Sequence, residues 1–359
     1  MLVSVNQTWA TISGDFLIAA LLIYSLALLA FAGDFAFGRP RRAAASRVVN
    51  KPVAQLATVG GPAPDSAGTD GVGLDDAGSG PGGPADVVAD SLPPLRLSAW
   101  QAVSAAGSWV RAAIGFSILG VVAHVIAVVA RGLAVHRAPW GNMYEFITAL
   151  TCIAALFFVY VMIRYRAWTL GVFVMGAIVL ALGLAETLIY TAAAPLVPAL
   201  QSYWLSIHVT AMTLSTGIFF VAAVLGILYL IAQRYRKRVA AGKANAGNGL
   251  IARIPSPEQL DKLTYRAVIF GFPIWTFGVI AGAIWADQAW GRYWGWDPVE
   301  TWAFVTWVLY ACYLHARATA GWRGTASHVI QLLGFASLMT NMLVVQVFIT
   351  GMHSYAGVG

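Results

Sequence analysis

The densest cluster of side chains that could bind a ligand spans residues 290–302, which read WGRYWGWDPVETW. Four of these residues are tryptophans, and indole rings are costly to expose to water, so the run predicts a flat apolar partner. An aromatic belt at a membrane surface is the plainer explanation of one or two of them. Glycines let a backbone approach a ligand, and Asp297 is unfavourable near lipid. Both features favour a ligand-binding segment, which we call the Trp-rich loop.

Two histidines are candidate metal ligands beside this loop. His208 and His353 each stand next to the end of a long apolar run, far apart in sequence. Taken singly, each is better explained as a hydrogen-bonded residue at a helix end. If both reach the Trp-rich loop, two imidazoles and a platform of indoles suit a large planar cofactor with an octahedral metal. Haem is the first candidate.

His315 and His124 lie within apolar runs and are candidates for a second, inner haem site. His315 is favoured because it follows the Trp-rich loop on the same predicted helix. For His124 we favour a core histidine bonded to a carbonyl. The inner haem would then be held by His315 alone, and the alternative in which His124 is also a ligand stays open. The sequence presents no pair of nucleophile and base, so no catalytic residue is predicted.

Long apolar runs must position these residues. Hydrophobic residues make up 59% of the 359 residues and charged residues only 10%, which is typical of a membrane protein. Eight runs approach or exceed the length that crosses a bilayer, about 20 residues, and they do not alternate as barrel strands do. The chain is therefore predicted to be all-α and polytopic, with about eight transmembrane helices. The runs are 16–37, 112–130, 146–163, 168–190, 204–232, 267–286, 301–316 and 329–349.

The basic residues predict the orientation of these helices. Eight crossings place both termini on one side, and if that side is outside, 19 of the 22 Lys and Arg residues lie inside. Only Arg131, Arg137 and Arg292 then remain outside. Because positive charge favours cytoplasmic loops, both termini are expected outside, with His208, His353 and the Trp-rich loop on the outer face. The net charge of +7 thus reflects topology and does not indicate nucleic-acid binding.

Three segments are expected along the chain. Residues 1–38 form a first transmembrane helix, retained because it has neither a basic leader nor a small-residue cleavage site. Residues 39–98 are rich in Gly, Ala, Pro and Asp with almost no aromatics, so they form a flexible cytoplasmic linker. Residues 99–359 form a seven-helix membrane domain. Cys152 and Cys312 form no C-x-x-C, which argues against thiol-redox chemistry and against covalent haem attachment to this chain.

Residues 290–297 resemble the WWD signature, W-G-x-x-W-x-W-D, of the haem-handling protein superfamily. The continuation at 298–302 and the segments around His208, His315 and His353 resemble one branch, the CcsA (ResC) family of system II cytochrome c biogenesis. The stretch 139–146 is similar to that family's P-x-x-N-x-Y-E segment. The resemblance extends from about residue 115 to the C terminus, is weaker for the first span and does not include the linker.

The resemblance implies a haem-handling subunit of a cytochrome c synthase, which holds non-covalent haem b at the outer face. The haem is presented for thioether attachment to an apocytochrome c with a C-x-x-C-H motif. His208 and His353 would be the external axial ligands, and His315 the membrane-embedded ligand. The opposite ligand of His315 would come from a CcsB (ResB) partner, a separate subunit because no large outer domain is present. The macrocycle would be cradled by Trp290, Trp294 and Trp296.

Two charged residues of the loop complete the predicted cofactor site. Arg292 is the only basic residue there and suits either a haem propionate or a lipid phosphate. Asp297 precedes Pro298 and is expected to cap the following helix rather than to take part in chemistry.

Other functions share some of these features. A haem exporter or chaperone-loading protein of the system I type has the WWD loop without this C-terminal ending. A b-type electron-transfer subunit pairs histidines across facing helices, and an assembly factor without haem needs none of them.

The chain counts as an enzyme only as part of a haem lyase complex. The Ala-, Gly- and Arg-rich linker indicates a GC-rich genome and hence a bacterial plasma membrane. The haem route, reductant, acceptor cytochromes and stoichiometry stay open.

Overall fold

The computed structural model describes residues 5–38, 99–104, 106–195, 202–243, 251–319 and 322–353, and these contain helices and no strand. A π-helical stretch, Asp34–Gly38, extends the first helix, and another, Asn341–Val345, joins the last two. The predicted linker, 39–98, lies outside the described residues. The α-helices are α1 (Gln7–Gly33), α2 (Ala99–Ser104), α3 (Ser108–Val135), α4 (Met143–Tyr165), α5 (Gly171–Leu188), α6 (Tyr203–Ala240), α7 (Pro257–Trp290), α8 (Pro298–Ala318), α9 (Thr325–Thr340) and α10 (Gln346–Phe348).

Seven helical segments of the described chain are long and apolar enough to cross a membrane, which confirms an all-α, polytopic membrane protein. They correspond to seven of the eight predicted runs. The remaining run is α8, a 21-residue helix whose apolar character is reduced by Glu300, His315 and several Trp and Tyr residues. The count of eight crossings and the outside location of the termini stay predictions. The seven segments are Gln7–Phe37, Ser108–Val135, Met143–Tyr165, Trp168–Leu188, Tyr203–Ala240, Pro257–Trp290 and Thr325–Phe348.

Capping residues fix the helix termini on the side of the bundle that holds the Trp-rich loop. Asn142 caps α4 by accepting from the Glu145 N–H at 2.9 Å, and Ser202 caps α6. Gly291 ends α7 in the left-handed conformation with φ of 69°, which glycine adopts without strain. Each of these helix ends is therefore determined by a residue at the end itself, through a capping side chain or through the backbone freedom of glycine.

Small residues allow the helices to pack closely. Ser13 of α1 donates to the Ala127 carbonyl of α3 at 2.8 Å, and a Cβ at Gly120 would lie 2.6 Å from the Tyr24 ring. His124 is completely buried in the same interface, edge-on to Tyr24 with ring centroids 5.8 Å apart. This environment agrees with the interpretation of His124 as a core residue.

Candidate cofactor site

A cleft opens at the end of the bundle where α4, α6 and α8 begin and α7 ends; we call this the cleft end. Its empty space, mouth included, is about 1230 Å³. It extends from Trp140 and His353 at the rim down to Thr216 and Trp275, roughly 20 Å along the helices. The side chains that line the cleft are mostly apolar, as the binding site of an apolar ligand requires.

His208 lines the cleft from the second turn of α6. Its Nδ1 lies 2.7 Å from the Gly278 carbonyl oxygen of α7, which can only accept, so Nδ1 carries the proton and Nε2 the lone pair. The approach depends on Gly282, because a Cβ there would lie 2.6 Å from the imidazole ring. Metal-binding imidazoles typically donate their second nitrogen to such an acceptor.

His353 lines the same cleft from the segment after α10. Its Nδ1 donates to Asp297 Oδ2 at 2.8 Å, and the Met352 N–H donates to Asp297 Oδ1 at 2.6 Å. Asp297 also accepts from the Val299 N–H at 3.2 Å and forms a capping box with Glu300, so the predicted helix cap is confirmed. The same carboxylate orients His353, a role that sequence reasoning missed.

The Asp297–His353 pair is in the protonation state that metal binding requires. Burial lowers the pKa of His353, and the carboxylate raises it without restoring its ordinary value. Burial raises the pKa of Asp297, but hydrogen bonds from the Met352 N–H and from His353 bring it below its ordinary value. Near neutral pH the pair is thus a carboxylate and a neutral imidazole.

Tryptophans surround both imidazoles. Trp285 is stacked on His208 with an interplanar angle of 12° and also contacts His353 edge-on, at centroid distances of 6.1 Å and 5.8 Å. Trp290 packs against His353 at 4.9 Å. Trp290 and Trp294, two of the three tryptophans proposed from the sequence to cradle a macrocycle, line the cleft. The structure therefore brings both predicted histidines to one set of indoles.

Trp296 departs from the predicted cradle. It is 65% exposed and lies edge-on to Trp294 and Phe304, outside the residues that line the cleft. Its φ of 57° turns the backbone into the start of α8. Trp140 and Trp285 line the cleft instead, although neither was singled out from the sequence. Only their position beside predicted helix ends could have indicated them.

Arg292 folds back over its own loop. The position of a Cβ on Gly295 would be 0.8 Å from Arg292 Nη1, so only glycine leaves room for the guanidinium. Arg292 Nη1 is 4.0 Å from Glu300 Oε2, which accepts from the backbone N–H groups of Gly295 and Asp297. The guanidinium therefore packs against its own loop, and its Nη1 has no hydrogen-bond partner among the described residues. Its binding to a propionate or a lipid phosphate stays a prediction.

Glu145 organises the rim of the cleft. Its carboxylate accepts from Arg131 at 2.9 Å and from Arg137 at 2.8 Å, and also from the Gly141 N–H at 2.8 Å. Gly141 lies between Trp140 and Asn142, and all three line the cleft. Sequence reasoning placed Glu145 near this face without assigning the contacts.

His315 lies away from the cleft. It is exposed on the surface of α8, 17 residues after Pro298 and hence roughly 25 Å along the helix. The inner haem site at His315 stays a prediction. Neither His315 nor His124 is among the residues that line the cleft.

Known proteins resemble the part of the chain that holds the cleft. The family described as "Cytochrome C assembly protein" matches residues 140–353, from the rim of the cleft to the second histidine. Proteins named "Cytochrome c biogenesis protein CcsA" are similar to the chain. That of Guillardia theta is 37% identical over 258 residues, covering 67% of this chain and 84% of the relative. That of Heterosigma akashiwo is 36% identical over 245 residues, covering 60% and 76%.

A solved structure shares the fold. The protein titled "Cytochrome c Heme Lyase CcmF" superposes with a TM-score of 0.57 at 16% identity, covering 94% of this chain. The chain spans about half of that protein's length, 47%.

Proposed function

The chain belongs to the cytochrome c assembly protein family, in its CcsA group, and thus acts in cytochrome c maturation; we propose that its cleft holds haem b between His208 and His353. The observation that supports this most directly is that both imidazoles line one cleft with Nδ1 already donated to an acceptor. Each Nε2 therefore carries a lone pair, as an axial ligand of haem iron requires.

The residues present fit a non-covalently held porphyrin. Indoles and aliphatic side chains of the cleft bury apolar area, at about 25 cal/mol per Å². When bound, haem supplies the vinyl groups to which the two thiols of an apocytochrome C-x-x-C-H motif add. The chain's own contribution is orientation: Gly278 and Asp297 fix the imidazoles, and the Glu145 cluster fixes the rim. No side chain of the cleft needs to transfer a proton.

The proposed setting is a bacterial plasma membrane with the cleft end on the extracytoplasmic face. Among the basic residues at the cleft end, Arg131 and Arg137 are neutralised in part by Glu145, while the opposite end carries most of the Lys and Arg. A CcsB-type membrane subunit is the proposed partner, and apocytochrome c the proposed acceptor.

Reconstitution tests this function. The chain is purified with a CcsB-type subunit, its absorption spectrum is recorded, and reduced apocytochrome c is added. We expect the spectrum of haem with two histidine ligands and a product that keeps haem after denaturation. Haem transfer to a carrier without thioether bonds indicates a system I type protein instead, and reversible reduction without product indicates an electron-transfer subunit. A colourless complex contradicts the proposal.

His315→Ala tests the second haem site. We expect the variant to lose the inner haem and to keep the spectrum of the cleft haem, because the two sites lie at different depths. Cys312→Ala is a matched control, since Cys312 is exposed on the same helix almost one turn away. Haem content per chain, measured after extraction, decides the outcome. Equal content in both variants rejects the inner site.

Asp297→Asn separates the two roles of this carboxylate. Asparagine still caps α8, but it gives His353 a neutral and weaker acceptor. We expect haem affinity of the cleft to fall about 10–100-fold, as for other residues that support metal ligands, with little change in thermal stability. Haem titration of the apo form measures the effect, and Asp287→Asn at the end of α7 is the control. Unchanged affinity contradicts the orienting role.

A further inference from the structure

Buried polar side chains cluster where α6, α7, α8 and α9 meet, towards the end of the bundle opposite the cleft. We call this group the polar cluster, and the proposed function uses none of its members. Tyr310, Tyr313, His328 and Gln331 have no exposed surface, while Asp261 is 22% exposed at the side chain. The polar cluster consists of Asp261, Tyr310, Tyr313, Arg317, His328 and Gln331.

One contact in the polar cluster has the spacing of a water bridge. Asp261 Oδ1 accepts from Arg317 Nη1 at 2.7 Å, whereas His328 Nε2 lies 3.7 Å from the same oxygen, too far for a direct hydrogen bond. His328 Nδ1 donates to the Gly324 carbonyl at 2.9 Å, so Nε2 of the neutral ring is an acceptor. Two acceptors at this distance are satisfied by one water molecule that donates to both.

The other members have hydrogen-bonding atoms without partners. Within the part of the chain that the structure describes, no hydrogen bond of good geometry is found for Tyr310 Oη, Tyr313 Oη or either side-chain polar atom of Gln331, although Tyr310 and Gln331 lie close enough to interact with each other. The same holds for Arg317 Nε. Each such group costs about 1–3 kcal/mol when it is buried unsatisfied, and a membrane offers no bulk water to compensate. Together they supply both donors and acceptors at one place, as a group of bound waters needs.

A neighbouring contact between α8 and α9 shows what direct pairing looks like. Thr306 Oγ1 and Ser337 Oγ are 2.9 Å apart, so one hydroxyl donates to the other, which in turn donates to a carbonyl of its own helix. These hydroxyls need no further partner. The interface between α8 and α9 therefore pairs its polar groups directly on the cleft side of Tyr310, whereas several polar atoms on the other side lack a hydrogen bond of good geometry.

We propose that the polar cluster is a binding site for ordered water molecules, one of which bridges His328 Nε2 and Asp261. Further waters join Tyr313, Tyr310 and Gln331. The partly exposed Asp261 connects the site to the aqueous phase at that end of the bundle, and the paired hydroxyls of Thr306 and Ser337 separate it from the cleft. The site does not depend on haem.

Radiolytic hydroxyl-radical footprinting of the full-length protein in lipid nanodiscs tests this site. Radicals formed from bound water modify adjacent side chains even when these are inaccessible to bulk solvent. We expect Tyr310 and Tyr313 to be modified several-fold faster than Tyr24, an equally buried tyrosine in the α1–α3 interface. A scavenger confined to bulk solvent should leave the two rates unchanged.

Rates at Tyr310 and Tyr313 equal to that of Tyr24 overturn the proposal. The variant Gln331→Leu adds a second measurement, because it removes the amide that the waters join. We expect slower modification of Tyr310 in this variant, with the rate at Tyr24 unaffected. An unchanged rate at Tyr310 places the water elsewhere and contradicts the assignment. If the variant does not fold, the modification rates of Tyr310, Tyr313 and Tyr24 in the unaltered protein still decide the outcome.

Discussion

Alanine at either His208 or His353 is expected to remove haem from the cleft and to abolish covalent haem transfer to apocytochrome c. Each imidazole supplies one of the two axial ligands, and neighbouring residues cannot replace it. Changes to residues that merely support a metal ligand already cost about 10–100-fold, so loss of a ligand should reduce assembly by more than about 100-fold. The absorption spectrum of the purified protein and the yield of covalent haem measure the two effects.

Two comparisons sharpen this experiment. His136→Asn changes a histidine at the cleft end that caps α3 with φ of 52°, a conformation that asparagine tolerates. This control should keep both the spectrum and the activity. Free imidazole should restore haem to the His208→Ala variant, because the deleted ring leaves a space of its shape. A single alanine variant with wild-type spectrum and yield shows that the ligand assignment is wrong.

The substitution Gly282→Ala is expected to be nearly as damaging, although the residue has no side chain to contribute. The added methyl group would lie 2.6 Å from the His208 ring and would push it from the Gly278 carbonyl. We expect the two-histidine spectrum to be lost and assembly to fall about 10–100-fold, as for other residues that orient metal ligands. Thermal stability should change little, because the overpacking cost of about 1–3 kcal/mol is partly offset by the preference of about 1 kcal/mol for alanine over glycine in a helix.

The combination of an altered spectrum and preserved stability distinguishes an orienting role from a general packing defect. Gly183→Ala is the matched control, since Gly183 lies within α5 and a Cβ there meets nothing within 4 Å. Thermal unfolding and absorption of both variants are recorded side by side. If Gly282→Ala retains the two-histidine spectrum, the close approach of α7 is not what holds His208.

Much of the architecture could be predicted because membrane helices are encoded locally. Apolar runs of sufficient length located the helices to within several residues at most ends, and the charge bias gave a definite expectation for their orientation. The Trp-rich loop and the two histidines could also be selected, since glycines, an acidic residue and indoles rarely coincide in an anchoring belt. The cap at Asp297 followed from the Asp-Pro pair alone.

The contacts that complete the cleft depend on the packing of distant helices. Asp297 and His353 are 56 residues apart, and His208 and Gly278 are 70 apart. Hydrophobic periodicity and local propensity carry no information about such pairs, because they depend on which helix faces meet and how closely. Glycines at the α6–α7 contact, the π-helical stretch before His353 and the exposure of Trp296 are consequences of that packing. The sequence alone was therefore enough to select the two histidines as candidate ligands. The groups that accept their Nδ1 hydrogen bonds, the Gly278 carbonyl and the Asp297 carboxylate, were decided only by the tertiary structure.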